Sequence, residues 1–118
     1  MAHIVDETGT RAVLAKGIID FPVPNSATPE EALRISEESF KNWNSHPRIT
    51  ISFSAHAPYT CAPELIQKVK ALADQYQVPF NIHLAETEAE VEQIIEQYGF
   101  TPVGHLENLG VLSRVVML

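Results

Sequence analysis

The chain contains a single cysteine, Cys61, among 118 residues. That excludes an internal disulfide framework and fits a reducing compartment. Basic residues are scarce, with 8 against 15 acidic ones and a net charge of −7. They stand singly along the chain, so no patch is offered to a nucleic-acid backbone or an anionic membrane surface. No stretch approaches the roughly 18 consecutive apolar residues of a membrane span. The opening MAHIVDETGT has no basic segment followed by an apolar one, unlike a secretory signal. Linkers, low-complexity tracts and charge runs are absent too, so nothing marks a domain boundary. With 45% hydrophobic residues, the expectation is one cytoplasmic globular unit whose small core leaves much of its surface wet.

What is present is alternation. Three apolar runs read as strands: RAVLAKGIID (11–20), RITISFSAH (48–56) and PFNIHLAE (79–86). A fourth, RVVML, starts at Arg114. Helical patterns separate them. The first opens at Thr28-Pro29, where threonine caps, proline suits the first turn and Glu31 completes a capping box. It runs to about residue 44, with Leu33, Phe40 and Trp43 on one face. The second follows Pro63, with Leu65, Val69, Leu72 and Tyr76 at helical spacing. The third is capped by Thr87 and Glu90, is expected to bury Val91, Ile94, Ile95 and Tyr98, and ends at Gly99. A short fourth runs from Pro102 to Leu109 and stops at Gly110. The order βαβαβαβ implies parallel strands with helices packed outside them.

Side chains alternate across a strand, so parity sorts residues onto faces. Ile49, Ile51, Phe53 and Ala55 form one set, and Thr50, Ser52, Ser54 and His56 the other. Phe80, Ile82 and Leu84 oppose Asn81, His83 and Ala85 in the same way. A doubly wound sheet wants apolar residues on both faces. A face of Thr, Ser, Asn and His fits the inside of a barrel near its mouth, where α/β folds bind ligands at the carboxyl ends of strands. His56 and His83 both fall at that end.

Neutral imidazole is a good ligand for zinc or iron. With a metal on His83, Glu86 would lie just past the strand end, placed for general acid/base work on a water whose pKa the metal lowers towards ~7. His-x-x-Glu alone is an unspecific pattern, and a hydrogen-bonded structural histidine stays open as the alternative. SAHAPYTCAPE (54–64) is more distinctive: His56 ends a strand, Pro58 keeps the chain out of helix and Pro63 restarts one. Cys61 sits near that helix start, where a thiol pKa can fall, but no histidine adjoins it and a nucleophilic role is not assigned. His3, His46 and His105 read as surface or helix-flanking residues. Arg11 and Lys16 read as solvated strand-end charges.

HAPYTC followed by ELIQKVKALADQYQVPFNIHLAET resembles the middle of an amidohydrolase-superfamily enzyme, in the branch of the methylthioadenosine/S-adenosylhomocysteine, cytosine and guanine deaminases and the triazine hydrolases. RAVLAKGIIDFP is similar to the preceding strand of that branch, and PVGHLENLGVLS to the segment after its metal-binding histidine. The resemblance implies a (β/α)₈ TIM-type barrel and hydrolytic deamination of a purine, pyrimidine or related heterocycle by a metal-activated water. It implies that His83 is a ligand of one divalent metal (zinc or iron), Glu86 the catalytic acid/base and His56 a substrate contact.

The family's first-strand H-x-H pair has no counterpart here, and the segments expected to carry the sixth-strand histidine and last-strand aspartate do not follow. A catalytic zinc needs about three protein ligands, and a whole barrel about 250 residues. The expectation is therefore that residues 1–118 form a partial metal-dependent hydrolase barrel domain, about strands three to six, inactive by itself and holding little or no metal. MAHIVDETGT would be the tail of the preceding helix. Raw sheet edges would favour a homo-oligomer or an element-swapped assembly. Two other readings stand beside this one: a non-catalytic α/β scaffold or binding domain with structural histidines, and a metal-free hydrolase using Glu86 and His56 directly.

Overall fold

Each predicted strand run meets its neighbour in the order in which it leaves the chain. The computed structural model describes residues 1–20, 28–113 and 116–118. It opens with α1 (Ala2–Thr8), followed by β1 (Ala12–Leu14), β2 (Gly17–Ile18) and α2 (Pro29–Trp43). Then come β3 (Ile49–Ile51), β4 (Phe53–Ala55), α3 (Pro63–Tyr76) and β5 (Phe80–Ile82). The chain continues through α4 (Glu88–Tyr98) and α5 (Pro102–Asn108) to β6 (Val116–Met117). Arg114 and Val115, the start of the expected fourth strand, lie outside the described residues.

The first two runs are shorter and more broken than their composition suggests. The run 11–20 divides between β1 and β2, and the run 48–56 divides at Ser52 into β3 and β4. β1 pairs with β3, while β2, β4, β5 and β6 form a second sheet in that order, all parallel. Leu14 lies opposite Ile51 and Ile18 opposite Ala55, so the register is the same on both sides of the break. The interruption is a local bend in one continuous surface. Sheet twist makes such bends common where strands tilt round a barrel.

Both α2 and α3 cover the same face. The Phe53 ring lies 6.4 Å from Phe40 of α2 and 5.9 Å from Tyr76 of α3, and those two rings are 4.4 Å apart. Ile18, Phe53, Ala55, Phe80 and Ile82 meet Leu65, Ile66 and Val69 there in one buried cluster. The opposite set, Thr50, Ser54, Asn81 and His83, stays exposed or half-buried. Ser52 is the exception, fully covered and accepting a hydrogen bond from Asn81 Nδ2 at 2.9 Å. Strands in chain order with these helices on one side make the arc of a barrel; a doubly wound sheet reverses its strand order midway. The radius of gyration, 14.8 Å, exceeds the ~13.5 Å of a compact domain of this length, as suits an open arc.

Thr28 and Thr87 cap as the sequence predicts, their hydroxyls accepting the N–H of Glu31 and Glu90 at 3.1 Å each. Gly99 and Gly110 take left-handed φ values of 76° and 74°. In α4, Ile94 is buried but Ile95 is 46% exposed, against expectation. One residue on is 100° round a helix, and that turns Ile95 away from the face that Ile94 buries. The helix α1 has no buried residue. It is tied down by Asp6, whose carboxylate accepts from His46 Nε2 at 2.8 Å and Arg48 Nη2 at 2.9 Å. The His46 hydrogen bond, with Arg48 behind it, holds the Asp6 carboxyl below its ordinary range.

His3 is exposed and the half-buried His46 flanks the end of α2, as expected, but His105 is not a surface residue. Only 2% exposed, His105 stacks on Tyr98 with centroids 4.0 Å apart. Its Nε2 is buried without a partner among the described residues. Burial pushes its pKa below the ordinary 6.5, because the charged ring would be desolvated. The unfolded chain therefore binds more protons as pH falls. This contribution to stability is complete above 6.5 and is lost as pH drops from there towards the lowered folded value. The melting temperature should fall between about pH 7.5 and 5.5, and His105→Phe should flatten that dependence. An unchanged slope in the variant would assign the acid sensitivity to other groups.

Candidate functional site

Two neighbouring strands carry the two histidines to one rim. In the β4–β5 register Ser54 faces Asn81 and Ala55 faces Ile82. One step further, His83 N–H donates to His56 O at 3.0 Å, and His56 N–H to Ile18 O at 2.8 Å. The rings come out on the polar face with centroids 5.7 Å apart, inclined at 72°. Both lie beyond the carboxyl ends of their strands, as parity predicts. A small cleft of about 210 Å³ opens beside them, lined by Ser54, Asn81, Ile82, His83 and Leu118. A larger cleft of about 510 Å³, between α1, α2 and the sheet, shares no lining residue with it and contains no candidate residue.

His83 Nδ1 and Glu86 Oε1 are 2.9 Å apart, with the side chains 65% and 58% exposed. The two groups approach at ion-pair distance without the alignment of a hydrogen bond, and Nε2 has no hydrogen-bond partner among the described residues. A carboxylate beside the second ring nitrogen is common at metal-binding histidines. Glu86 meets His83 and makes no hydrogen bond to His56 among the described residues, so a direct His56–Glu86 pair is not formed.

His56 is oriented by a residue that composition alone did not single out. Its Nδ1 lies 2.8 Å from Thr60 Oγ1, and the Thr60 hydroxyl donates to Ala57 O at 3.2 Å. A hydroxyl has one proton; with that proton given to Ala57, Thr60 accepts from His56 Nδ1–H. His56 Nε2 is then an acceptor at the rim. The turn is held further by Asp20, whose backbone N–H donates to Thr60 O at 3.1 Å and whose carboxylate accepts Ala62 N–H at the start of α3.

Cys61 behaves differently from the expectation for a thiol at a helix start. It is 3% exposed, and its Sγ–H donates to Ile18 O at 3.1 Å. Burial pushes the thiol up from its ordinary value, outweighing the hydrogen bonds that lower it. Arg11, before β1, is exposed at the opposite end of the strands and takes no part in the rim. Lys16 lines the larger cleft.

The loop from His83 to Thr87 is where the sequence reading was least complete. Ala85 has φ 54°, in the left-handed region. Glu90, 5% exposed, reaches back past the cap: Oε1 accepts Ala85 N–H at 3.1 Å and Oε2 accepts Glu86 N–H at 3.0 Å. The Thr-x-x-Glu spacing signals a capping box, in which the carboxylate would stop at the Thr87 amide. Nothing local to that motif announces the longer reach.

For a metal, the described residues supply part of a donor set. No group of three His, Cys, Asp or Glu side chains converges among them. His83 offers one exposed imidazole, with a carboxylate on its far nitrogen. That fits a single ligand of a centre whose other ligands come from elsewhere.

Known proteins share this fold. The model of the amidohydrolase family matches residues 1–118. A 5-methylthioadenosine/S-adenosylhomocysteine deaminase of Syntrophobacter fumaroxidans is 42% identical over 113 residues, 96% of this chain and 26% of the relative. The Aquifex aeolicus protein of the same name is 41% identical over 117 residues, 99% of this chain and 27% of the relative. Among solved structures, an adenosine deaminase from Xanthomonas campestris with bound zinc superposes with a TM-score of 0.94 at 33% identity. That match covers 98% of this chain and 26% of that one. An atrazine chlorohydrolase from Arthrobacter aurescens shares the fold, with a TM-score of 0.84 at 18% identity over 98% of this chain and 28% of that one. The chain thus spans about a quarter of the length of the curated relatives it matches. Its four-strand arc is a βαβαβαβ segment of a (β/α)₈ barrel, incomplete by itself, and the chain belongs to the amidohydrolase family.

Proposed function

We propose that residues 1–118 contribute about strands three to six of the barrel of a metal-dependent aminohydrolase. The substrate class is a purine nucleoside of the adenosine type, whose ring amino group leaves as ammonia. The observation that carries this reading is the His83–Glu86 pair, 2.9 Å apart, at a strand-end rim shared with His56. The names of the relatives favour it over a non-catalytic scaffold.

His83 would hold a divalent metal through Nε2, with zinc favoured over iron by the zinc in the Xanthomonas campestris structure. When bound, such an ion makes water a competent nucleophile at neutral pH. Glu86 would accept, on a carboxylate oxygen, the proton that the attacking water gives up as its oxygen bonds to the ring carbon, and pass it to the amino group as the C–N bond breaks. His56, with Nδ1–H committed to Thr60, presents Nε2 as an acceptor to a substrate donor. The test is a chimera in which this chain replaces the matching 27% of the Aquifex aeolicus relative. It should release ammonia from methylthioadenosine. A folded, zinc-loaded chimera without that activity contradicts the reading.

No helix among the described residues is long and apolar enough to cross a membrane. A cytoplasmic setting is our reading, supported by the lone buried cysteine. For the 118-residue chain alone, we propose self-association. Among the described residues the edge strand β1 pairs on one side only, and Val13 is 53% exposed, which invites edge pairing. Sedimentation should give a mass above one chain. A monomeric mass with a cooperative melt would count against this.

A further inference from the structure

The loop that carries Glu86 has no regular structure, yet its position must be definite if that carboxylate is to serve His83. Ala85, at φ 54°, occupies a region that a residue with a Cβ visits at a cost. Something must hold it there. Glu90 is placed to do so: it is nearly buried, and each of its two oxygens accepts one of the consecutive amides of Ala85 and Glu86. Among the described residues it has no ion-pair partner. A buried carboxylate needs hydrogen bonds, and these two N–H groups are what it takes from side-chain-independent donors in the loop. At the same time Glu90 N–H is bound by the Thr87 hydroxyl at 3.1 Å, which ties the same residue to the helix start.

We infer that Glu90 is the positioning residue of the Glu86 loop. It fixes the backbone of residues 85 and 86 against α4, so that the Glu86 side chain starts from one place beside His83. The inference rests on the catalytic reading of Glu86 for its functional meaning, but its physical content is testable without any reaction. Glutamine at position 90 keeps one acceptor oxygen and turns the other into a donor, which faces an N–H and cannot bond it.

The experiment is residue-resolved amide hydrogen exchange on the metal-free chimera, in which the segment has its barrel neighbours. In Glu90→Gln, protection of the Ala85 or the Glu86 amide, whichever meets the NH2 group, should fall about tenfold or more, the size of one lost charge-assisted hydrogen bond. The sheet amides of Phe53 and His83 should stay within about twofold, which marks the effect as local rather than global. Adding Ala85→Gly relieves the left-handed strain and should restore much of the lost protection, a recovery that a merely structural buried carboxylate would not show. Unchanged protection at both Ala85 and Glu86, an equal loss at Phe53 and His83, or no recovery with Ala85→Gly would each overturn the inference. None of these readouts involves metal. If they hold while His83→Ala leaves metal binding intact in the chimera, the loop assignment stands and the catalytic reading falls.

Discussion

Glu86→Gln in the chimera lowers kcat for ammonia release by about 10²–10⁴-fold, the usual worth of a positioned general acid/base. The change removes a proton acceptor and almost nothing else. Glutamine has the same length, and at 58% exposure the side chain contributes little packing that the substitution could lose. The amide keeps an oxygen within the same reach of His83 Nδ1, so the surroundings of the imidazole change little. Zinc content should therefore stay at the parent value, and KM should move far less than kcat, because the lost interaction belongs to proton transfer and not to uniform binding. In free-energy terms the loss is about 3–5 kcal/mol of transition-state stabilisation. A kcat within about threefold of the parent would show that protons travel by another group, and Glu86 would then be an orienting partner of His83 only.

The faces of the strands were legible because period-two alternation is imposed by the backbone itself. Ile49, Ile51, Phe53 and Ala55 are buried, and so are Phe80 and Ile82. His56 and His83 follow on the other parity and meet at the rim. The helix starts were legible for a similar local reason, since Thr28 and Thr87 bond amides only three residues away. Resemblance to a family then gave those two histidines and Glu86 their expected roles, which spacing alone could not do.

Contacts set by tertiary structure were not legible. The strand breaks at 15–16 and at Ser52 come from how the sheet bends, while the composition of both runs is that of unbroken strands. His105 looks like a helix-flanking residue until Tyr98 is stacked on it. Asp6 and Arg48 lie 42 positions apart and meet only when α1 folds back on β3. Thr60 and Glu90 sit inside motifs that were noticed, but their partners depend on loop paths. The left-handed Ala85 could not be inferred, because alanine gives no local signal for that conformation. The incomplete donor set is a further case: one imidazole can be read from a strand, whereas a metal centre requires several strands brought together.

His83→Ala has the second large effect. Three ligands plus an open position is the usual catalytic zinc site, so deleting one ligand removes a coordinate bond and the anchor for Glu86 together. The Glu86 carboxylate would lose the partner that now sits 2.9 Å away. Other parts of the fold should be little affected, since His83 is 65% exposed and lies outside the buried cluster. Equilibrium zinc binding to the chimera, read by competition with a chelator and paired with the same titration of His83→Ala, addresses the proposed metal site most directly. We expect about one zinc per chain in the parent and an affinity at least about 100-fold weaker in the variant, in line with loss of a ligand. Equal zinc affinity in the two proteins would contradict the assignment of this histidine to the metal.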